Sequence, residues 1–275
     1  MTVTPSSPRV VGIINATPDS FSDGGQFLDV GVAAGRANML TAQGADILDI
    51  GGESTRPGAD PVTADQEIAR VIPVIEAIGR TSATPISIDT MKPVVARAAI
   101  TAGAVIWNDI TALTHSPDSL DAAAGLCCEV VLMHMQRDPR TMQANPTYGD
   151  VVADVIAFLA ARAEAAMAAG VARHRIWLDP GIGFGKTLAH NLALLANMDR
   201  LVALGFPVML GASRKGFIRR LDTSAGDPGD RLGGSLAAVL AGADAGVAAV
   251  RVHDVRATVQ ALAVRAAIGQ ARGHG

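Results

Sequence analysis

Eight short apolar runs recur along the chain, separated by segments of helical periodicity. The runs are 10–14, 47–50, 86–88, 105–107, 129–133, 176–178, 208–210 and 247–252. Each is too short for a buried helix and reads as a buried strand. Strands joined through helices pair in parallel, because a parallel partner needs a long crossover. Eight such units over about 250 residues point to one α/β domain, a closed (β/α)8 barrel. An open doubly wound sheet is the alternative. The barrel is favoured by what ends the runs: Asn15, Glu53, Asp89, Asn108, His134, Asp179, Ser213 and His253. Closure would bring all of them to one rim, whereas an open sheet would scatter them along an edge. Residues 1–8 read as a loose lead, 9–267 as the barrel and 268–275 as a fraying tail.

The intervening segments carry helix signals. A helix is expected over 29–43, with Gly44 ending it. Thr63 to Gln66 has the capping-box pattern, and Ile68, Val71, Ile72, Ile75 and Ile78 keep one face apolar. Pro93 sits in a first helical turn, where its missing N–H does no harm. Further helices are expected over 119–124, from Asp150 to Gly170, unbroken over 188–204, over 231–241, and after Asp254. Residues 223–230 read as a loop.

Composition excludes several classes. Of the 275 residues 18% are charged, and the formal net charge is -3, so nothing suggests a nucleic-acid surface. The Ala-rich stretch 236–250 is interrupted by Asp244 and glycines and is no membrane span. The first residues lack the apolar core of a signal peptide. Cys127 and Cys128 are adjacent, without metal spacing or bridging geometry, which fits a reducing, cytoplasmic compartment.

The rim divides into two chemistries. Arg214 and Lys215 follow the seventh run, and Arg251 and His253 lie at the end of the eighth. Loops after the last two strands of such barrels often hold phosphate, and Arg and Lys suit its oxygens. Asn15, with Asp19 or Asp23 in the loop Asn15 to Gly25, supplies hard oxygens suited to Mg²⁺ beside a diphosphate. Across the rim, Asp89, Asn108 and Asp179 offer acceptors and an amide for a flat, nitrogen-rich ring. Asp89 and Asp179 could instead be helix N-caps. Residues 181–187 end in Gly-Lys-Thr like a P-loop, but Pro180 stands where its first Gly belongs, so the match fails.

The motifs NATPDSFSDGG, GGESTRPGA, SIDT, WNDI, LMHMQ, LDPGIGFGKTLAHN, GASRK and RVHDV together resemble the dihydropteroate synthase family over roughly residues 9–267. The resemblance implies a TIM barrel and a homodimer. The implied reaction joins 6-hydroxymethyl-7,8-dihydropterin diphosphate to 4-aminobenzoate, with sulfonamides as competitors. It implies Asn15 as Mg²⁺ ligand and Thr55 and Arg56 in a closing loop. Asp89, Asn108, Asp179 and Lys215 would hold the pterin, and Arg251 and His253 the diphosphate. Phe184, Ser213, Phe21 and Pro57 would shape the aminobenzoate pocket. Lys215, Arg251, His253 and Asp89 are the expected catalytic group. A pterin-binding methyltransferase barrel and a non-catalytic pterin-binding paralogue are the rival readings. The first gives no reason for the basic group; intact loops speak against the second.

Overall fold

The computed structural model describes residues 7–16, 30–54 and 60–272. Asp19, Phe21, Asp23, Thr55, Arg56, Pro57 and the expected helix start at Asp29 lie outside the described residues. The strands are β1 (Arg9–Asn15), β2 (Ile47–Gly51), β3 (Ile86–Asp89), β4 (Ile106–Asp109), β5 (Glu129–Met133), β6 (Ile176–Asp179), β7 (Met209–Leu210) and β8 (Ala249–Val252). All pair in parallel, in the order β6-β5-β4-β3-β2-β1-β8-β7. A single parallel bridge, Leu178 to Val208, joins β6 to β7, with Leu178 N donating to Pro207 O at 2.9 Å. The barrel is therefore nearly closed, and its weakest seam lies between β6 and β7.

The helices are α1 (Val30–Ala42), α2 (Ala64–Gly79), α3 (Pro93–Thr101), α4 (Ser119–Leu126), α5 (Val151–Ala168), α6 (Leu188–Ala196), α7 (Met198–Val202), α8 (Gly216–Leu221), α9 (Leu232–Asp244) and α10 (Val255–Arg272). The Thr63–Gln66 capping box is formed, Pro93 opens α3, and Asp150 caps α5 by accepting from Val152 N and Ala153 N. The helix expected over 188–204 is broken at Asn197, whose side-chain amide donates back to Ala193 O at 2.9 Å. A side chain that competes for backbone carbonyls in this way ends the regular ladder. Helix α8 was not expected from the sequence, and a 3₁₀ turn, Pro228–Arg231, lies partly within the expected loop. Helix α10 continues to Arg272, beyond the start of the expected tail. Among the described residues, no helix is long and apolar enough to cross a membrane.

Two cores result from strand alternation. Outward residues such as Leu48, Ile50, Ile88, Leu132 and Val250 pack under the helices in one large cluster. Inward residues Val11, Ile47, Ile106, Val131, Trp177, Met209 and Ala249 form a separate cluster across the barrel floor. Side chains two apart on a strand share a face. One step above the floor, the inward positions are therefore Asp49, Asn108, Asp179 and Arg251, and Asp89 stands above Ser87 in the same way. The apolar floor sets these polar groups at one level.

Gly181 is where the frame is tightest. Its φ is +65°, and a Cβ there would lie 2.0 Å from the backbone oxygen of His134. Gly181→Ala should cost several kcal/mol, since both the backbone conformation and the space forbid the methyl. Gly35, exposed on α1 with nothing near its would-be Cβ, should gain about 0.5–1 kcal/mol as Ala. Urea unfolding midpoints of the two variants should move in opposite directions.

Candidate active site

Arg251 is the centre of the mouth. From β8 its Nε donates to Asp49 Oδ2 at 2.6 Å, and its Nη2 to Asp89 Oδ2 at 2.7 Å. Asn108 Nδ2 approaches Asp49 Oδ2 at 3.4 Å. Burial opposes the charge on Arg251, but Asp49, Asp89 and Asp179 outweigh it and push its pKa up. Burial, opposed by Arg251 and reinforced by Asp49, raises Asp89 to about 7. Asp179 is buried and also raised, by desolvation. Its Oδ1 accepts from Gly181 N at 2.7 Å, so it serves the turn after β6 as well as facing the mouth.

Lys215, just before α8, lies over the Phe184 ring, with Nζ 4.0 Å from the centroid. Loss of hydration, reinforced by Arg251, lowers it to about 8, although Asp179 and Asp89 both favour its charge. The same two carboxylates thus sense the same two cations, which brings the ends of β3, β6, β7 and β8 into one site. Room is left between them: a Cβ on Gly211 would lie 3.6 Å from Asp179 Oδ2, and one on Gly51 would lie 3.7 Å from Asp89 Oδ2. Gly51 and Gly211 thus put no side chain of their own beside the two carboxylates.

His253 ends the β8 side. Burial, with Arg251, Arg214 and Lys215 nearby, lowers it to about 3, so the ring is neutral. Ser213 Oγ accepts from His253 N at 3.2 Å and lies 3.0 Å from Nδ1. Ser213 Oγ thus holds His253 through both its backbone N–H and its Nδ1. Arg214 is committed to Asp254, which its Nε and Nη2 both contact. Asn15, half-buried at the end of β1, pairs with Gly51 on one side, while β1 pairs with β8 on the other.

The Arg251 guanidinium sits among carboxylates because its long side chain reaches past β1. The Ser213 hydroxyl contacts His253. Asp89 caps no helix, since α3 begins after Lys92.

Sequence reasoning missed Asp49, which lies within the apolar run 47–50. The available signal was its two-residue offset from Ile47. It also left Lys186 without a role once the P-loop match failed. Lys186 is 1% exposed. Its Nζ contacts Phe184 O at 2.9 Å, Gly181 O at 3.0 Å, His134 O at 3.3 Å and His134 Nδ1 at 3.0 Å. Burial lowers it to about 7. It is the internal fastener of the loop that carries Phe184 and supports Asp179. Glu53 fastens a second connection. Its Oε1 accepts from Val62 N at 3.1 Å, while Oε2 binds Lys92, which also binds buried Glu67. The two ends of the β2–α2 connection are tied together by that carboxylate.

A (β/α)8 barrel with carboxylates, an amide and two cations converging at the strand ends is the class of a small-molecule enzyme whose chemistry sits at the C-terminal rim. The family model described as pterin binding enzyme matches residues 11–253. The dihydropteroate synthase of Escherichia coli K12 is 46% identical over 259 residues, covering 94% of this chain and 91% of its own length. The structure of Xanthomonas albilineans dihydropteroate synthase with 4-aminobenzoic acid superposes with TM-score 0.90 at 50% identity, covering 97% of this chain and 95% of that one. The Yersinia pestis dihydropteroate synthase structure with a sulfonamide drug complex gives 0.91 at 42% identity, covering 98% and 97%. The chain belongs to the pterin-binding enzymes and, within them, to the dihydropteroate synthases, which are transferases.

Replacing Lys186 by Met would leave three carbonyls and an imidazole nitrogen without their donor. A loss of roughly 2–4 kcal/mol in unfolding free energy is expected from such bare buried acceptors. Denaturant unfolding of Lys186→Met measures it directly; a midpoint equal to wild type would refute the fastener role.

Proposed function

We infer that this protein condenses 6-hydroxymethyl-7,8-dihydropterin diphosphate with 4-aminobenzoate, releasing 7,8-dihydropteroate and diphosphate. The observation carrying this reading is the joint presence of Asp89, Asn108, Asp179 and Lys215 around one slot, with neutral His253 beside it. Asp179, Asn108 and Asp89 supply acceptors for the ring N–H groups and the amide for an acceptor nitrogen. Lys215 supplies a donor for a ring oxygen or nitrogen. Phe184, held under Lys215, borders the aminobenzoate side, and Phe21, Thr55, Arg56 and Pro57 would complete that side. Ser213, in contact with His253, would shape that side too.

The bond that breaks joins the methylene carbon to the bridging diphosphate oxygen, and its electron pair leaves with the diphosphate. His253 and the Arg251 charge stabilise the negative charge developing there. Asp89 and Asp179 favour the positive charge that the ring shares with the methylene. The arylamine nitrogen then forms the new C–N bond and loses its proton to water. It needs no strong base, because its lone pair is already nucleophilic. No water should compete at the methylene while the slot is filled.

Mg²⁺ fits the residues present. Among the described residues no group of three or more His, Cys, Asp or Glu could hold a metal. Asn15 offers a hard amide oxygen beside the diphosphate side, and Mg²⁺ characteristically takes few protein ligands, filling its shell from phosphate oxygens and water. Bound there, it supplies charge neutralisation to the leaving group. The cytoplasmic setting agrees with the free thiols Cys127 and Cys128. A homodimer through the last helix agrees with exposed Val264 and Ile268, one turn apart on α10. The Y. pestis relative was solved with a sulfonamide drug complex, which supports sulfonamides as competitors here as well.

Purified protein with both substrates and Mg²⁺ should form dihydropteroate and diphosphate in equal amounts, and chelation of the metal should stop it. Absence of both products would overturn the reading. Asp179→Ala should raise the KM for the pterin substrate by at least about a hundredfold, as expected when a charge-assisted pair of bonds is lost. The pH profile of kcat/KM should be a narrow bell. Its acid limb near pH 7 comes from Asp89, which must lose its proton, and its alkaline limb near pH 8 from Lys215, which must keep one. His253, at about 3, should add no limb.

A further inference from the structure

Asp49 has no part in the proposed chemistry, yet it holds Arg251 and faces Asp89. It is 1% exposed, on the inward face of β2, one step above Ile47 of the floor. One oxygen, Oδ2, takes the Arg251 Nε bond at 2.6 Å and the Asn108 amide at 3.4 Å. The other, Oδ1, is buried and has no hydrogen-bond partner. Glu67 Oε1 shares that condition, but Glu67, on α2, has its other oxygen on Lys92. A buried carboxylate oxygen left bare is costly, and such atoms in native proteins mark sites completed by something further.

We propose that Asp49 is a positioning residue for pterin binding: its Oδ2 locks the Arg251 guanidinium against Asp89, and its Oδ1 is an acceptor kept for an N–H of the bound heterocycle. The inference rests on the dihydropteroate synthase reading. The geometry is that of a fork held at two tines. Arg251 uses Nε on Asp49 and Nη2 on Asp89, which fixes the plane of the guanidinium. Without Asp49, the side chain would keep one anchor and could swing about it.

Asp49 also sets the working charge of its neighbour. The groups facing Asp89 are Asp49 on β2, Arg251 on β8, Lys215 before α8 and Glu67 on α2. Asp49 and Glu67 hold the Asp89 proton on, and the two cations favour its loss. Removing the Asp49 charge leaves Asp89 as the close carboxylate partner of Arg251, so Asp89 should ionise at lower pH.

The test is Asp49→Asn, which keeps the shape and removes the charge. Titration calorimetry with 6-hydroxymethyl-7,8-dihydropterin diphosphate and Mg²⁺ should show affinity reduced at least tenfold. The KM for 4-aminobenzoate should be unchanged, and the acid limb of the pH profile should move below its wild-type position. In an Arg251→Lys background the same substitution should cost several-fold less, because the fork is already lost. If Asp49→Asn does not fold, Asp49→Glu keeps the charge. It should leave the acid limb in place while raising the KM for the pterin substrate. Wild-type affinity and an unmoved acid limb in Asp49→Asn would overturn the proposal, as would equal losses in both Arg251 backgrounds. A wild-type protein that makes no dihydropteroate would instead overturn the functional reading on which the proposal depends.

Discussion

Arg251 reaches from β8 past β1 to carboxylates on β2 and β3, and the mouth of the barrel is organised around that crossing. A guanidinium taken out of water is unfavourable unless its donors meet acceptors, and two carboxylates provide them. Those carboxylates are in turn tolerable only because the cation lies between them. Neither partner could be placed first in a stepwise account of the site. Losing one would leave the others as unpaired buried charges, at about 3–5 kcal/mol by the usual size of such losses. Lys215 and Asp179 extend the same balance towards β6 and β7, so a single electrostatic arrangement spans five strand ends.

The barrel makes this arrangement possible by alternation. Seven apolar side chains close the floor, and the next inward positions are free to be polar because the floor excludes water from below. The outward face of the same strands is almost wholly apolar and is covered by helices. Asp109 shows the contrast. It points outward at the end of β4, and its carboxylate accepts from Thr111 N, Thr111 Oγ1 and Leu113 N, shaping a turn. Its neighbour Asn108, one residue away, faces the slot. Adjacent polar residues thus have unrelated roles because the strand turns them to opposite sides.

Much of this was legible in the sequence, and the omissions have physical causes. Strands and their polar ends were readable because short apolar runs and helical periodicity are local signals. Asn108 and Asp179 stood out for the same reason, each following directly on a run, and Lys215 stood out in the short polar stretch after another. Asp49 was hidden because it lies inside one, where a charge looks like an exception to be absorbed. The chain position of Arg251 marks it as a strand-end residue, but its reach to Asp49 and Asp89 was not readable, because a long side chain carries its charge well away from its own Cα. Lys186 resembled part of a nucleotide loop, whereas four acceptors from the folded chain enclose it. The break at Asn197 depends on one side-chain amide turning back to its own helix, which periodicity does not register.

The floor has one more consequence. Because Ile47, Ile106, Trp177 and Ala249 stand directly beneath Asp49, Asn108, Asp179 and Arg251, they act as a depth stop for whatever settles above them. Trimming one methylene there would let a heterocycle sink, and adding one would lift it, without altering a single polar group. Ring selectivity in such a barrel can therefore drift through silent-looking aliphatic exchanges one storey below the chemistry.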